Sequence, residues 1–220
     1  MSGRPPRPRA ILFDWDNTLV DTWPVITEAT AITLAAMGHA PWSATEMRAR
    51  IAGSLRDTFP RIYGERWPEA MKIYYQAFER VHLDRLRALP GAADALGALG
   101  DAGVYLGVVS NKTGKYLRAE ADHLGWTPRF GRLVGAQDVA RDKPAADPVL
   151  AALAPAGVSP GADVWFVGDA EIDVVCGQAA GCTTVLVPPP GGAEPADMAV
   201  QPTLRVPDLS SLVAAVTSDR

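Results

Sequence analysis

The chain has 220 residues, 48% of them hydrophobic, and a formal net charge of −4. That length and apolar content suffice for one α/β domain with a sizeable core plus a modest second module. The acidic balance leaves no electrostatic footprint for nucleic acid or an anionic membrane surface, and no apolar run approaches bilayer-spanning length.

The opening segment MSGRPPRPR is basic and Pro-rich with no apolar stretch behind it, so residues 1–8 read as a flexible tail and not a signal peptide. Ala10–Phe13 is a short apolar run ending at Asp14, as a buried strand requires. From about Asp21 to Ala88 no strand-like run occurs and the pattern is helical. Pro24 suits a first helical position, and Gly38 a stop just past Met37. Ser43-Ala44-Thr45-Glu46 is a capping-box match opening a helix that ends near Gly53. From Pro68 to Leu86, Ala70, Ile73, Tyr74, Ala77, Phe78 and Val81 keep helical spacing. Trp67, Tyr74, Tyr75 and Phe78 are accordingly expected in the core of this segment and not in a substrate cage. Leu89-Pro90-Gly91 punctuates the return to strand-like pattern.

Four further apolar runs follow: Val104–Val109, Leu133–Gly135, Val164–Val167 and Thr183–Val187. Between them Tyr116–Leu124, Pro148–Ala156 and Ile172–Ala180 are helix-patterned, and Pro188–Pro195 reads as a loop. Strands alternating with helices predict an α/β fold, an open and mostly parallel sheet with helices on both faces. The sheet domain is expected over residues 9–20 and 89–220, with the helical domain 21–88 inserted after its first strand. Cys176 and Cys182 lack metal-type spacing and read as small buried thiols in a reducing, cytoplasmic setting. His39, His82 and His123 are scattered and are assigned structural or solvated positions.

Four motifs fall at or near the C-terminal ends of these strands, where open α/β sheets hold their ligands. They are FDWDNTLVD with Asp14 and Asp16, VVSNK with Ser110 and Asn111, Lys143-Pro144 in a loop, and FVGDAEID with Asp169 and Asp173. Four carboxylates in one pocket raise each other's pKa unless a cation intervenes. Oxygen donors alone suit a hard ion, and magnesium commonly bridges carboxylates to a phosphate; no His or Cys cluster offers a zinc site. One carboxylate can attack phosphorus to form a mixed anhydride. A second can protonate the leaving oxygen and later take a proton from water, a role worth roughly 10²–10⁴ in rate. Ser110 and a lysine can carry the phosphoryl charge.

These motifs resemble those of the haloacid dehalogenase-like superfamily, in the branch typified by phosphoglycolate phosphatase. The pattern DxDxT, Ser/Thr, Lys, GDxxxD is matched in order by Asp14-Trp15-Asp16-Asn17-Thr18, Ser110, Lys143 and Gly168-Asp169-Ala170-Glu171-Ile172-Asp173, and the likeness runs from Ala10 to about Ala215. The stretches Ile51-Ala52-Gly53-Ser54-Leu55 and Lys143-Pro144-Ala145-Ala146-Asp147-Pro148 also look like that subgroup. The resemblance implies a Rossmann-like core with an α-helical cap domain. It implies Asp14 as nucleophile and Mg2+ ligand, and Asp16 as acid/base that lends its backbone carbonyl to the metal. Asp169 is implied as a direct ligand, and Asp173 as support for the metal waters or Lys143. Ser110, Asn111, Thr18 and Lys143 are implied at the phosphate. Arg56 in the cap is a candidate for an anionic substrate group. Where Asn17 stands, many relatives have Gly; Asn also tolerates a left-handed turn.

The expectation is a phosphatase acting on a small phosphorylated metabolite such as 2-phosphoglycolate. A phosphomutase or a nucleotide or pyrophosphate hydrolase shares the same core motifs and remains open beside it. So does a silent phosphate- or partner-binding fold. Oligomeric state is not legible.

Overall fold

A computed structural model describes residues 5–51, 55–189 and 198–218, without the side chains of residues 56 and 57. In chain order, the elements begin with β1 (Ala10–Phe13), β2 (Val20–Asp21), α1 (Trp23–Ala36), α2 (Ala44–Arg50), α3 (Leu55–Tyr63), α4 (Trp67–Arg85) and β3 (Arg87–Ala88). They continue with α5 (Ala92–Asp101), β4 (Tyr105–Thr113), α6 (Gly114–His123), β5 (Arg132–Ala136) and α7 (Asp147–Leu153). The chain closes with β6 (Val164–Gly168), α8 (Glu171–Ala179), β7 (Thr183–Leu186), β8 (Leu204–Arg205) and α9 (Leu209–Thr217). It divides into two compact units, Met1–Asp21 with Arg87–Arg220, and Thr22–Leu86.

The first unit is built on a parallel sheet of order β5-β4-β1-β6-β7-β8. Strands covered on both faces are predominantly apolar, and all residues of β1, β6 and β7 are buried, with Thr183 and Thr184 of β7 hydrogen-bonded. Ala10, Leu12, Val109, Val134, Val164 and Phe166 form one core cluster with Val149, Ala152 and Leu153 of α7 and Cys176 of α8. At about 1.5–3 kcal/mol for each large apolar side chain removed from water, this cluster stabilises the sheet on that face. The two cysteines are free and buried. Because β1 lies between β4 and β6, the chain winds outward in both directions from it, which opens a crevice at the C-terminal edge of β1.

Three details of this unit depart from the sequence expectation. The stretch expected to lack strands is bounded by β2 and β3, an antiparallel pair matching Val20 to Ala88 and Asp21 to Arg87. The expected tail is tied down from Pro6 onward. The Trp165 indole donates to the Pro6 carbonyl at 3.2 Å, Arg7 to the Ala102 carbonyl at 3.2 Å, and Arg9 pairs with Asp163 at 2.7 Å. Val104–Val109 is longer than read: β4 continues through Ser110 and Asn111 to Thr113, past an irregularity in its pairing with β5.

The second unit is helical. Pro24 stands at the start of α1, and Gly38 follows its end at φ 78°. Ser43 and Glu46 form the expected capping box: the Ser43 hydroxyl accepts from Glu46 N–H at 3.2 Å, and Ser43 N–H donates to the Glu46 carboxylate at 2.9 Å. The helix stops at Arg50; Gly53 lies outside the described residues. On α4, Tyr74 and Phe78 are buried as expected, and Phe78 stacks on buried His82 at 5.0 Å. Trp67 and Tyr75 are not core residues: they are 36% and 38% exposed, because they fall off the apolar stripe of Ala70, Tyr74, Ala77 and Phe78. No helix among the described residues is long and apolar enough to cross a membrane.

Candidate active site

Asp14 is the first residue past β1, buried, with its N–H donating to Val167 O at 2.8 Å. The chain then turns sharply. Asn17 has φ 61°, a left-handed conformation that Asn tolerates better than other non-glycine residues. Its N–H donates to Val20 O at 2.7 Å, and Leu19 N–H to Trp15 O at 3.0 Å. This turn places the buried Thr18 hydroxyl 3.5 Å from Asp14 Oδ2. On the neighbouring strand, Gly168 ends β6 and Asp169 follows it. Asp173 sits in the first turn of α8, where its Oδ2 accepts Ala170 N–H at 3.1 Å, a favourable place for a carboxylate on the helix dipole. Gly168 is required here, since a Cβ would overlap the Asp173 carboxyl group.

Lys143, in the segment between β5 and α7, is buried, and its ammonium donates to Asp14 Oδ1 at 2.6 Å and Asp173 Oδ1 at 2.7 Å. Burial works against that charge. The two carboxylates outweigh it and hold the ammonium above its ordinary pKa. Asp14, Asp169 and Asp173 each offer a carboxylate oxygen within 4.8 Å of the others. One ammonium cannot balance three carboxylates. Burial pushes the Asp14 carboxyl up to about 7, against Lys143 and helped by Asp173 and Asp16. Burial, with Asp14 and Asp173, pushes Asp169 up to about 8. A hard divalent cation satisfies this excess, and the all-oxygen donor set fits magnesium.

Asp16 does not join this trio. Its Oδ1 pairs with Lys112 Nζ at 2.6 Å, and the side chain remains 32% exposed. The metal contact expected of Asp16 runs through its backbone carbonyl and does not require the carboxylate. Ser110 is buried on β4, next to β1, and its hydroxyl accepts Lys112 N–H at 3.1 Å. Asn111 is occupied otherwise than expected. Its side chain brackets the main chain of Lys143, donating to the Lys143 carbonyl at 3.1 Å and accepting its N–H at 3.0 Å. It therefore positions the lysine loop. The side chain of Arg56 lies outside the described residues.

Sequence reasoning passed over Lys112, Glu120 and Trp15. The Lys112 ammonium also donates to Glu120 Oε2 at 2.5 Å, and the Trp15 indole donates to the same oxygen at 2.7 Å. Glu120 is fully buried, on the α6 face that carries Tyr116, Leu117 and Ala121. A carboxylate at an apolar helix position is the signal that marks it, because buried charges are kept only with partners.

The profile of the haloacid dehalogenase-like hydrolases matches residues 11–187. A phosphoglycolate phosphatase from Xylella fastidiosa is 35% identical over 187 residues, covering 81% of this chain and 80% of that protein. An N-acetylmuramic acid 6-phosphate phosphatase from Pseudomonas aeruginosa is 32% identical over 186 residues and 82% of each chain. The solved structure of a haloacid dehalogenase-like family hydrolase from Streptococcus pneumoniae superposes with a TM-score of 0.83 at 23% identity, covering 94% of this chain and 98% of that one. With a sheet of this order, its acidic trio at the edge of β1, and a family match over most of its length, the chain belongs to the haloacid dehalogenase-like hydrolases.

Proposed function

We propose that the protein is a magnesium-dependent phosphatase that hydrolyses a small phosphomonoester of the phosphoglycolate class through an aspartyl-phosphate on Asp14. The observation that carries this reading is the buried Asp14–Lys143–Asp173 arrangement with Asp169 beside it, at the C-terminal edge of β1 and β6. Phosphatase names among relatives above 30% identity support the reaction class. Asp14, Asp169 and Asp173 are the side chains that would hold the ion, which supplies charge neutralisation between nucleophile and phosphate when bound.

The remaining chemistry belongs to the chain. Lys143 orients Asp14 and opposes the rise that burial imposes on its carboxyl, and with the Ser110 hydroxyl it takes up charge on the phosphoryl oxygens. An Asp14 oxygen attacks phosphorus, the P–O bond to the alcohol breaks, and the leaving oxygen receives the proton of Asp16. Ionised Asp16 then accepts a proton from water, whose oxygen attacks the acyl phosphate. Asp14 is regenerated and inorganic phosphate leaves.

The test is phosphate release from a panel of phosphomonoesters, in magnesium or EDTA, for the wild type and Asp14→Asn. Turnover that needs the metal and disappears in Asp14→Asn is the expected result, and the best substrate identifies the metabolite. No release from any ester while magnesium still binds would overturn the phosphatase reading. Isomerisation of a sugar phosphate without phosphate release would replace it with a mutase.

A further inference from the structure

Beside the acidic trio runs a second buried charge network that the proposed reaction leaves unexplained. It links Trp15 in the turn after β1, Lys112 on β4 and Glu120 on α6. The Lys112 side chain is 7% exposed and that of Glu120 is completely buried. A buried ion pair is a poor way to stabilise a fold, since apolar residues of similar size serve as well or better. Its retention calls for another role, and every member of this network leads to one carboxyl group. Lys112 reaches Asp16 Oδ1 at 2.6 Å, and Trp15 precedes Asp16 in the chain.

Resting on Asp16 as the acid/base of the reaction above, we propose that Lys112, clamped by Glu120 and Trp15, is a positioning residue that fixes the Asp16 carboxyl for proton transfer to the leaving group. The geometry supplies three elements of a rigid mount. Trp15 is fully buried and held edge-on against Trp126 at 5.9 Å and Phe130 at 6.5 Å, so its indole N–H is a stationary donor. That N–H and the Lys112 ammonium converge on one oxygen of Glu120, at 2.7 and 2.5 Å. A long flexible lysine is thereby anchored from behind. Finally, Asp16 Oδ1 is buried without a hydrogen-bond partner of good geometry and is held by charge alone, as an ion pair 2.6 Å from the Lys112 ammonium, while the side chain as a whole is 32% exposed. A carboxyl group held by one oxygen keeps the other in a single direction. A general acid requires this, because it works only within hydrogen-bond reach of the atom it protonates. Glu120 also cancels the Lys112 charge locally, so the lysine orients Asp16 without adding net charge beside it.

The decisive readout is the dependence on leaving group. An alkyl alkoxide needs a proton to depart and nitrophenolate does not, and kcat/KM reports the steps up to that departure. Purified full-length protein in magnesium is assayed with 2-phosphoglycolate or β-glycerol phosphate as the alkyl ester, and with p-nitrophenyl phosphate. The charge-neutral Lys112→Met/Glu120→Gln variant is expected to lose about 10–100-fold in kcat/KM on the alkyl ester and less than about threefold on the aryl ester. Asp16→Asn should show the same selectivity, larger. Equal losses on both esters, or none on either, overturn the positioning role. If Asp16→Asn itself shows no selectivity, the acid/base reading of Asp16 fails instead. Should the double variant not fold, Glu120→Gln alone carries the test, since it keeps an acceptor for Trp15 and is expected to show the same selectivity.

Discussion

At the scale of single residues, the site is governed by close approach and charge. Gly168 gives Asp173 room to reach Lys143, and any Cβ there collides with the carboxyl group. Gly168→Ala is therefore expected to displace Asp173, loosen Lys143 and lower kcat about 10–100-fold. The misplaced side chain should also destabilise the fold by about 1–3 kcal/mol, measured by denaturant titration. The same scale shows what a motif leaves out. Asp14, Asp16, Ser110, Lys143, Asp169 and Asp173 were read from ordered motifs and a family resemblance, and the fold brings Asp14, Lys143, Asp169 and Asp173 together. Glu120 was not legible, because its partners Trp15 and Lys112 are 105 and 8 residues away in sequence. Asn111 was placed at the phosphate by the family resemblance; only the folded chain reveals that its side chain brackets Lys143.

At the scale of elements, the turn joining β1 to β2 carries Asp16 and puts Asn17 in a left-handed conformation. Asn17→Gly should fold with unchanged stability, whereas Asn17→Val should cost about 1–2 kcal/mol, because a β-branched side chain opposes positive φ. Thermal melts of the two variants check this. Leu153 of α7 packs fully buried against the sheet cluster, so Leu153→Ala is expected to cost about 2–5 kcal/mol in a urea titration with the active-site residues unchanged. Elements with strong periodicity or caps, such as β1, α2 and α4, were legible. The two-residue strands β2 and β3 were not, since strands so short carry no alternation and exist only through their mutual pairing. The helix α5, AADALGALGD, gave little contrast because alanine and glycine populate both core and surface. On α4, Trp67 and Tyr75 were grouped with the core on helical spacing, but both fall beside the buried stripe and are exposed.

At the scale of the whole molecule, bringing strand ends together concentrates negative charge that folding alone leaves unbalanced. Asp14 and Asp169 have folded pKa values raised to about 7 and about 8 from 3.8. For a carboxyl group shifted upward, the folded state binds the proton more tightly than the unfolded one. The contribution to stability is thus full below the unfolded pKa and is lost as pH rises through the folded value. Metal-free protein is expected to melt at lower temperature at about pH 8 than at about pH 5.5, and Asp14→Asn/Asp169→Asn should flatten that difference. Magnesium competes with those protons, so it should raise Tm more at the higher pH, by about 2.7 kcal/mol in stability at a hundredfold excess over Kd. EDTA should reverse the gain. The sequence by itself determined the class of fold and the order of the acidic and lysine motifs, because local periodicity, turn chemistry and carboxylate spacing are written in short windows. The tertiary structure alone decided that Asp16 faces Lys112 and that Asn111 serves the lysine loop. It also decided that a buried glutamate stands behind the Lys112–Asp16 pair, because these contacts join segments whose separation along the chain carries no local signal.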